Sequence, residues 1–306
     1  MTGAVDLQVN GYAGVDFNGD DLAADALADA CRRIRGDGVD EALATVITAP
    51  LEAMCRRIGR LADLIESDPE IGSVLRGIHV EGPFISPRDG FVGAHPQTCV
   101  MRADREPMGR LLDAGRGQVR LVTLAPEMDD GADVTGWLSD QGIVVAAGHT
   151  DATLDQLRRG LGAGLRLFTH LGNGCPGRLA RHDNIIQRVL SLSDRLMISF
   201  IADGHHIPPV ALGNYLRCVP DENVVIVTDA ISAAGLGPGR YRLGEQVVEV
   251  DEAGAAWSPD RTHFAGSAAT MPVMRAVLAD QLGIDQTRIG RWTVDNPRRL
   301  LRSAAG

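Results

Sequence analysis

The chain has 306 residues, 44% of them hydrophobic and 23% charged, with a formal net charge of −10. This composition calls for a packed globular core, and the length suits a single large domain or two small ones, about 250 residues being usual for an eight-stranded α/β barrel. The acidic balance argues against a nucleic-acid partner, the apolar runs are too short to span a membrane, and the N-terminus lacks a secretory layout, so a cytoplasmic protein is expected.

Short β-branched runs alternate with amphipathic stretches along the chain. Strands are expected at 5–9, 42–48, 74–80, 119–124, 143–147, 165–168, 197–202 and 224–228. Their near-continuous apolar character fits parallel strands buried on both faces. Helices are expected between them at 22–35, 51–67, 107–115, 134–141, 153–162, 185–192 and 209–218, with starts near Asp133 and Thr153, and later at 268–282 and 296–303. Two regions interrupt the alternation. Residues 82–101 form a long Gly- and Pro-containing loop after the third strand, a kind that is often functional. Residues 241–257 read as a β-hairpin inserted after the eighth strand. Eight strands with intervening helices call for a closed (β/α)8 barrel of the TIM type. Residues 1–306 are expected to form one barrel domain, with the hairpin insertion near 239–258. An open doubly wound sheet is the alternative, but no Gly-x-Gly-x-x-Gly follows the first strand.

Five cysteines (Cys31, Cys55, Cys99, Cys175, Cys218) are scattered without a C-x-x-C pair and read as reduced thiols. All 30 basic residues are arginine. Without lysine there is no Schiff-base lysine, no lysine-anchored pyridoxal, no P-loop and no bridging carbamylated lysine. A single metal ion is therefore favoured over a lysine-bridged pair.

Four chemically capable side chains stand at the ends of four apolar runs. Glu81 follows 74–80, His149 follows 143–147, His170 follows 165–168 and Asp229 follows 224–228. A parallel barrel gathers these ends into one mouth. One Glu and two His make a three-ligand metal site with a position left for water. Asp229 is then a candidate proton carrier. Taken singly, each has a structural reading: a salt bridge for Glu81, a hydrogen-bonded strand end for either His, a cap for Asp229. The combination favours the metal. His95 in the long loop is a candidate to polarise a carbonyl, and Arg178 to clamp a phosphate or carboxylate. At most one of His205 and His206 should face the mouth. His79, His182 and His263 are assigned to structure.

These residues fall within an ordered set of motifs: Asp6-Leu7-Gln8-Val9-Asn10-Gly11, His79-Val80-Glu81-Gly82-Pro83-Phe84, Gly93-Ala94-His95-Pro96, Gly148-His149-Thr150, Thr169-His170-Leu171, Ala202-Asp203-Gly204-His205-His206, Thr228-Asp229-Ala230 and Ala265-Gly266-Ser267-Ala268. The set resembles the N-acetylglucosamine-6-phosphate deacetylase family of the amidohydrolase superfamily over about 6–271. The resemblance implies that Glu81, His149 and His170 hold one divalent metal. Glu with two His suits Zn²⁺ and tolerates Fe²⁺, Co²⁺ or Mn²⁺. Gln8 and Asn10 stand where many amidohydrolases carry a His-x-His pair for a first metal. The resemblance further implies that Asp229 is the catalytic Asp and that His95 bonds the scissile carbonyl. Asn173, Gly174, Arg178 and His206 would bind the sugar phosphate, Arg178 reaching in from the other subunit of a homodimer. Gln8, Asn10, Ala265 and Gly266 join them among the substrate-binding positions. The implied reaction converts N-acetylglucosamine 6-phosphate to glucosamine 6-phosphate and acetate. The alternatives are a deacetylase of an unphosphorylated or modified amino sugar and a catalytically silent sugar-phosphate binder. Three departures stand out: the family's accessory β-sandwich is expected to be reduced or absent, the stretch 170–178 is short, and Gly174 replaces a more typical Ala.

Overall fold

A computed structural model describes residues 3–303, so the outer ends of the expected 1–306 domain lie outside the described residues. Eight parallel strands form one sheet in chain order. They are β1 (Ala4–Val9), β2 (Val39–Ile47), β3 (Leu75–Glu81), β4 (Val119–Leu124), β5 (Val144–Ala147), β6 (Leu165–Phe168), β7 (Met197–Ile201) and β8 (Val224–Val227). Nearly every strand residue is buried, as a sheet covered by helices outside and filled by side chains inside requires. Strand β2 starts three residues before the expected 42, because Val39 pairs with Ala4 and carries the ladder through polar Asp40 and Glu41.

The barrel is nearly closed between β1 and β8 by a single bridge, Val9 to Ala230. Side chains supply the rest of that seam. Asp6 Oδ2 accepts the Thr228 hydroxyl at 2.6 Å and Oδ1 accepts the Thr228 N–H at 3.2 Å. Burial pushes the Asp6 carboxyl up to about 7, its bonds from Thr228 working the other way.

Helices α1 (Ala24–Gly36), α2 (Leu51–Ser67), α3 (Pro69–Val74), α4 (Arg105–Gly115), α5 (Asp133–Asp140), α6 (Leu154–Ala163), α7 (Ile185–Leu190) and α8 (Pro209–Cys218) connect the strands. Thr153 and Gln156 form a reciprocal cap at the start of α6. Helix α5 starts at Asp133 as expected, and Asp129 just before it accepts from the amides of Val134 and Thr135. Helix α3 is additional to the expected elements: Asp68 caps it and Pro69 opens it. Toward the C-terminus, the segment expected to be helical only from 296 is already helical from Gln286, where Asp285 supplies the cap.

The region after β8 is a three-stranded sheet rather than a bare hairpin: β9 (Gly239–Leu243), β10 (Gln246–Val250) and β11 (Ala256–Trp257). Its apolar side chains Leu243, Val248 and Val250 cluster with Ile47 and Ile231, which seats the sheet at the barrel mouth. No helix among the described residues is long and apolar enough to cross a membrane.

Candidate active site

Glu81 is the last residue of β3, while His149, His170 and Asp229 each stand two positions beyond a strand. All three of the latter have left-handed backbones, with φ of 50°, 32° and 51°. Such values are uncommon outside glycine and concentrate where structure is shaped by function. All four side chains are buried at the C-terminal mouth, as the strand-end pattern required.

Glu81 is the hub. Its Oε1 lies 2.8 Å from His170 Nε2, 3.4 Å from His149 Nε2 and 2.9 Å from Gln8 Nε2, while Oε2 lies 3.9 Å from His95 Nε2. Metal–ligand bonds of about 2.0–2.2 Å put tetrahedral ligand–ligand edges at about 3.3–3.6 Å, so the His149 spacing fits a small divalent cation. The His170 edge is shorter, at hydrogen-bond length. By mutual distance the group among the described residues is Glu81, His95 and His149, whose ligand atoms lie within 4.8 Å of one another; His170 is not part of it.

Tautomers separate the imidazoles. His149 Nδ1 faces the Phe91 carbonyl at 2.9 Å. A carbonyl only accepts, so Nδ1 carries the proton and Nε2 presents a lone pair beside Glu81. His95 is the reverse. The Thr48 backbone N–H, which can only donate, reaches His95 Nδ1 at 3.3 Å, and the Thr48 hydroxyl adds a contact at 2.9 Å. The neutral ring must then hold its proton on Nε2, as a donor into the site. Burial, reinforced by His149 alongside, pushes His95 down to about 3 and keeps it neutral. His170 Nδ1 is buried without a partner. His149 therefore presents a lone pair suited to a cation beside Glu81, and His95 suits a hydrogen-bond donor, while His170 Nε2, 2.8 Å from an oxygen that accepts, is placed as a donor to Glu81. For Glu81 burial acts to raise the pKa, but the bonds and charges of His149 and His170 outweigh it and hold the carboxyl well below its usual range.

Asp229 Oδ1 accepts from Asn10 Nδ2 at 2.7 Å and Gln8 Nε2 at 3.1 Å. The Gln8 amide thus bridges both carboxylates, and the Thr169 hydroxyl orients it by donating to Oε1 at 2.8 Å. Burial and the nearby Glu81 charge push Asp229 up to about 6.

Asn10, His95, Asn173, Gly174 and Gly266 line the cavity over Glu81. A second cavity of about 450 Å³ continues from Gly93, Asn173 and Gly174 to His206, Trp257 and Phe264. Ala265 is fully buried and lines neither cavity, and Arg178 is exposed and outside both linings. His206 Nδ1 lies 2.7 Å from Asp203 Oδ2, and its buried Nε2 has no partner. Burial opposes ionisation of Asp203, but the charge and bonds of His206 outweigh it and draw it down to about 2. Sequence reading missed Thr48, Phe91 and Asp203 as supports. Asp203 carried a usable signal, a carboxylate at a strand end next to two histidines. The other two act across 47 and 58 residues with no local pattern.

Gly174 packs on the His149 ring. Its φ is +60°, and a Cβ there would lie 2.9 Å from His149 Nδ1. Gly174→Ala is expected to push the ring off the Phe91 carbonyl and lower kcat/KM about 10- to 100-fold. Metal content per chain and steady-state rates check this together.

No family model matches the chain. N-acetylglucosamine-6-phosphate deacetylase from Bos taurus is 36% identical over 259 residues, which is 81% of this chain and 61% of that protein. N-acetylgalactosamine-6-phosphate deacetylase from Escherichia coli O157:H7 is 33% identical over 244 residues, 79% of this chain and 63% of that protein. The chain thus spans a little over three fifths of the length of these relatives. Among solved structures, a mutant N-acetyl-D-glucosamine-6-phosphate deacetylase from Mycobacterium smegmatis in complex with N-acetyl-D-glucosamine-6-phosphate superposes with a TM-score of 0.89 at 32% identity, covering 98% of this chain and 77% of that one. With the site geometry and these similarities together, the chain belongs to the N-acetylglucosamine-6-phosphate deacetylase family.

Proposed function

We propose that this protein is a metal-dependent hydrolase that removes the N-acetyl group from an amino sugar, with N-acetylglucosamine 6-phosphate as the leading substrate. The observation that carries the reading is the meeting of Glu81, His149 and His170 with Asp229 through the Gln8 amide. Glu81, His149 and His170 are the proposed ligands. A divalent cation held there, Zn²⁺ by preference of the donor set, would supply Lewis acidity and make water a nucleophile at neutral pH. His95 donates Nε2–H to the amide carbonyl oxygen and stabilises the charge that develops on it. Asp229 takes the proton of the attacking water and returns it to the departing nitrogen, so one carboxylate serves as base and then acid. Gln8 and Asn10 hold Asp229 in place for both transfers. Asn173, Gly174, His206 and Gly266 border the space for the sugar. Acetate release by metal-loaded protein against a panel of N-acetyl amino sugars tests the reading, and no turnover of any of them overturns it.

The second reading, a neutral or modified amino sugar, draws support from the larger cavity, whose lining contains no arginine. Arg178 discriminates. If the phosphate is recognised by Arg178 from a partner subunit of a homodimer, Arg178→Ala raises KM for the phosphorylated sugar about tenfold or more, in line with a lost charge-assisted bond. A KM that does not move favours the neutral sugar. The five free thiols fit the proposed cytoplasmic location.

A further inference from the structure

We propose that Trp257 and Phe264 form an aromatic wall on which the pyranose ring of the substrate stacks, and that this wall sets affinity for the saccharide; the inference rests on the deacetylase reading above. Trp257 and Phe264 face each other across an antiparallel bridge. Residues directly opposite in such a pair project to the same side. Their ring centroids are 4.3 Å apart, and Phe264 continues the row to His206 at 4.9 Å. All three rings line the 450 Å³ cavity that leads past Asn173 and Gly174 to Glu81.

The wall is built rather than incidental. The indole N–H of Trp257 donates to Asp251 Oδ2 at 2.9 Å, and Asp251 Oδ1 accepts from the amides of Ala253 and Ala255, each at 3.0 Å. That fixes the ring plane. The turn joining the two aromatics is closed by Asp260, whose Oδ1 accepts the Ser258 hydroxyl at 2.7 Å and the Thr262 hydroxyl at 2.9 Å. A wall ordered before binding avoids the entropy cost of assembling one. Trp257 is only half-buried, unlike the fully buried Trp292, so part of its surface remains available to a ligand.

The chemistry selects the ligand. An aromatic face carries negative charge density at its centre and attracts weakly positive C–H groups. One face of a pyranose is a patch of ring C–H bonds, while its hydroxyls point outward from the ring edge. Stacking that face leaves the 2-acetamido group free to extend along Asn173 and Gly174 toward Glu81. With no arginine in the lining, the ring itself is the feature this wall can read.

Two variants test the wall in the metal-loaded full chain. Trp257→Ala is expected to raise KM for N-acetylglucosamine 6-phosphate about five- to tenfold with kcat little changed, the size of effect an aromatic contact supplies. Trp257→Phe keeps an aromatic face and should restore most of that KM. Fluorescence gives a second readout, since the chain has only three tryptophans, Trp137, Trp257 and Trp292. Glucosamine 6-phosphate added to the wild type should change tryptophan emission, and Trp257→Phe should abolish the change. A KM unmoved in Trp257→Ala, or an emission change that survives Trp257→Phe, overturns the proposal. If the wild type responds to the sugar phosphate in fluorescence, Trp257→Phe abolishes the response and no acetate is released, the wall stands as a sugar contact and the deacetylase reading falls. If acetate is released and neither readout depends on Trp257, the reverse holds.

Discussion

Asp229→Asn is expected to lower kcat/KM about 10²- to 10⁴-fold while the protein keeps its metal. The substitution is nearly isosteric. An asparagine oxygen can still accept from Asn10 and Gln8, so the local structure should hold. What disappears is the proposed carrier of the proton from water to the leaving nitrogen. Steady-state rates alongside metal analysis check the split, and a fully active variant would remove Asp229 from the mechanism.

The pH dependence follows from the same residue. Burial and the Glu81 charge lift Asp229 from the ordinary 3.8 to about 6. A base must be ionised to work, so wild-type kcat/KM should climb with pH as Asp229 ionises and then level off, a bound cation that offsets the Glu81 charge drawing this limb below the metal-free value of about 6, and the Asn variant should lack the limb. Stability runs the opposite way. Folding raises this pKa, so its contribution is full below the unfolded value near 3.8 and is lost as pH rises through about 6. In metal-stripped protein the variant should therefore gain Tm over the wild type at pH 7.5 but not at pH 3.5.

Glu81→Gln is expected to abolish both metal retention and turnover. Glu81 contributes the sole negative charge among the proposed ligands, and its Oε1 is the common contact of His149, His170 and Gln8. A glutamine amide would turn an N–H₂ toward the donating Gln8 amide or His170 Nε2, or give up a ligand oxygen. The loss should exceed the roughly 10- to 100-fold cost of removing an outer partner of a metal ligand. Metal content after gel filtration and acetate release after re-addition of excess Zn²⁺ are the measurements. Metal bound at wild-type stoichiometry in this variant would place the ion elsewhere.

Some of this was written in local pattern. Barrel strands are continuous apolar runs because both faces are buried, so seven of the eight began within one residue of their expected positions. β2 was the exception, since Asp40 and Glu41 interrupt its apolar run although the ladder continues through them. Helix α3 was overlooked despite a readable start, Asp68-Pro69-Glu70, because its apolar residues Ile71 and Val74 lead directly into β3. The third strand of the small sheet is two residues long, below what periodicity can register.

Residue order was enough to place Glu81, His149, His170 and Asp229 at one rim, because a parallel barrel sends every strand end the same way. Packing alone supplies the surroundings on which their proposed roles rest. Proton positions on His95 and His149 depend on Thr48 and the Phe91 carbonyl, the elevated Asp229 pKa on Glu81, and the aromatic cavity wall on a turn ordered by Asp251 and Asp260. Periodicity is a property of neighbours along the chain, whereas tautomer, charge and wall arise from contacts of a few ångströms, many of them between residues dozens of positions apart.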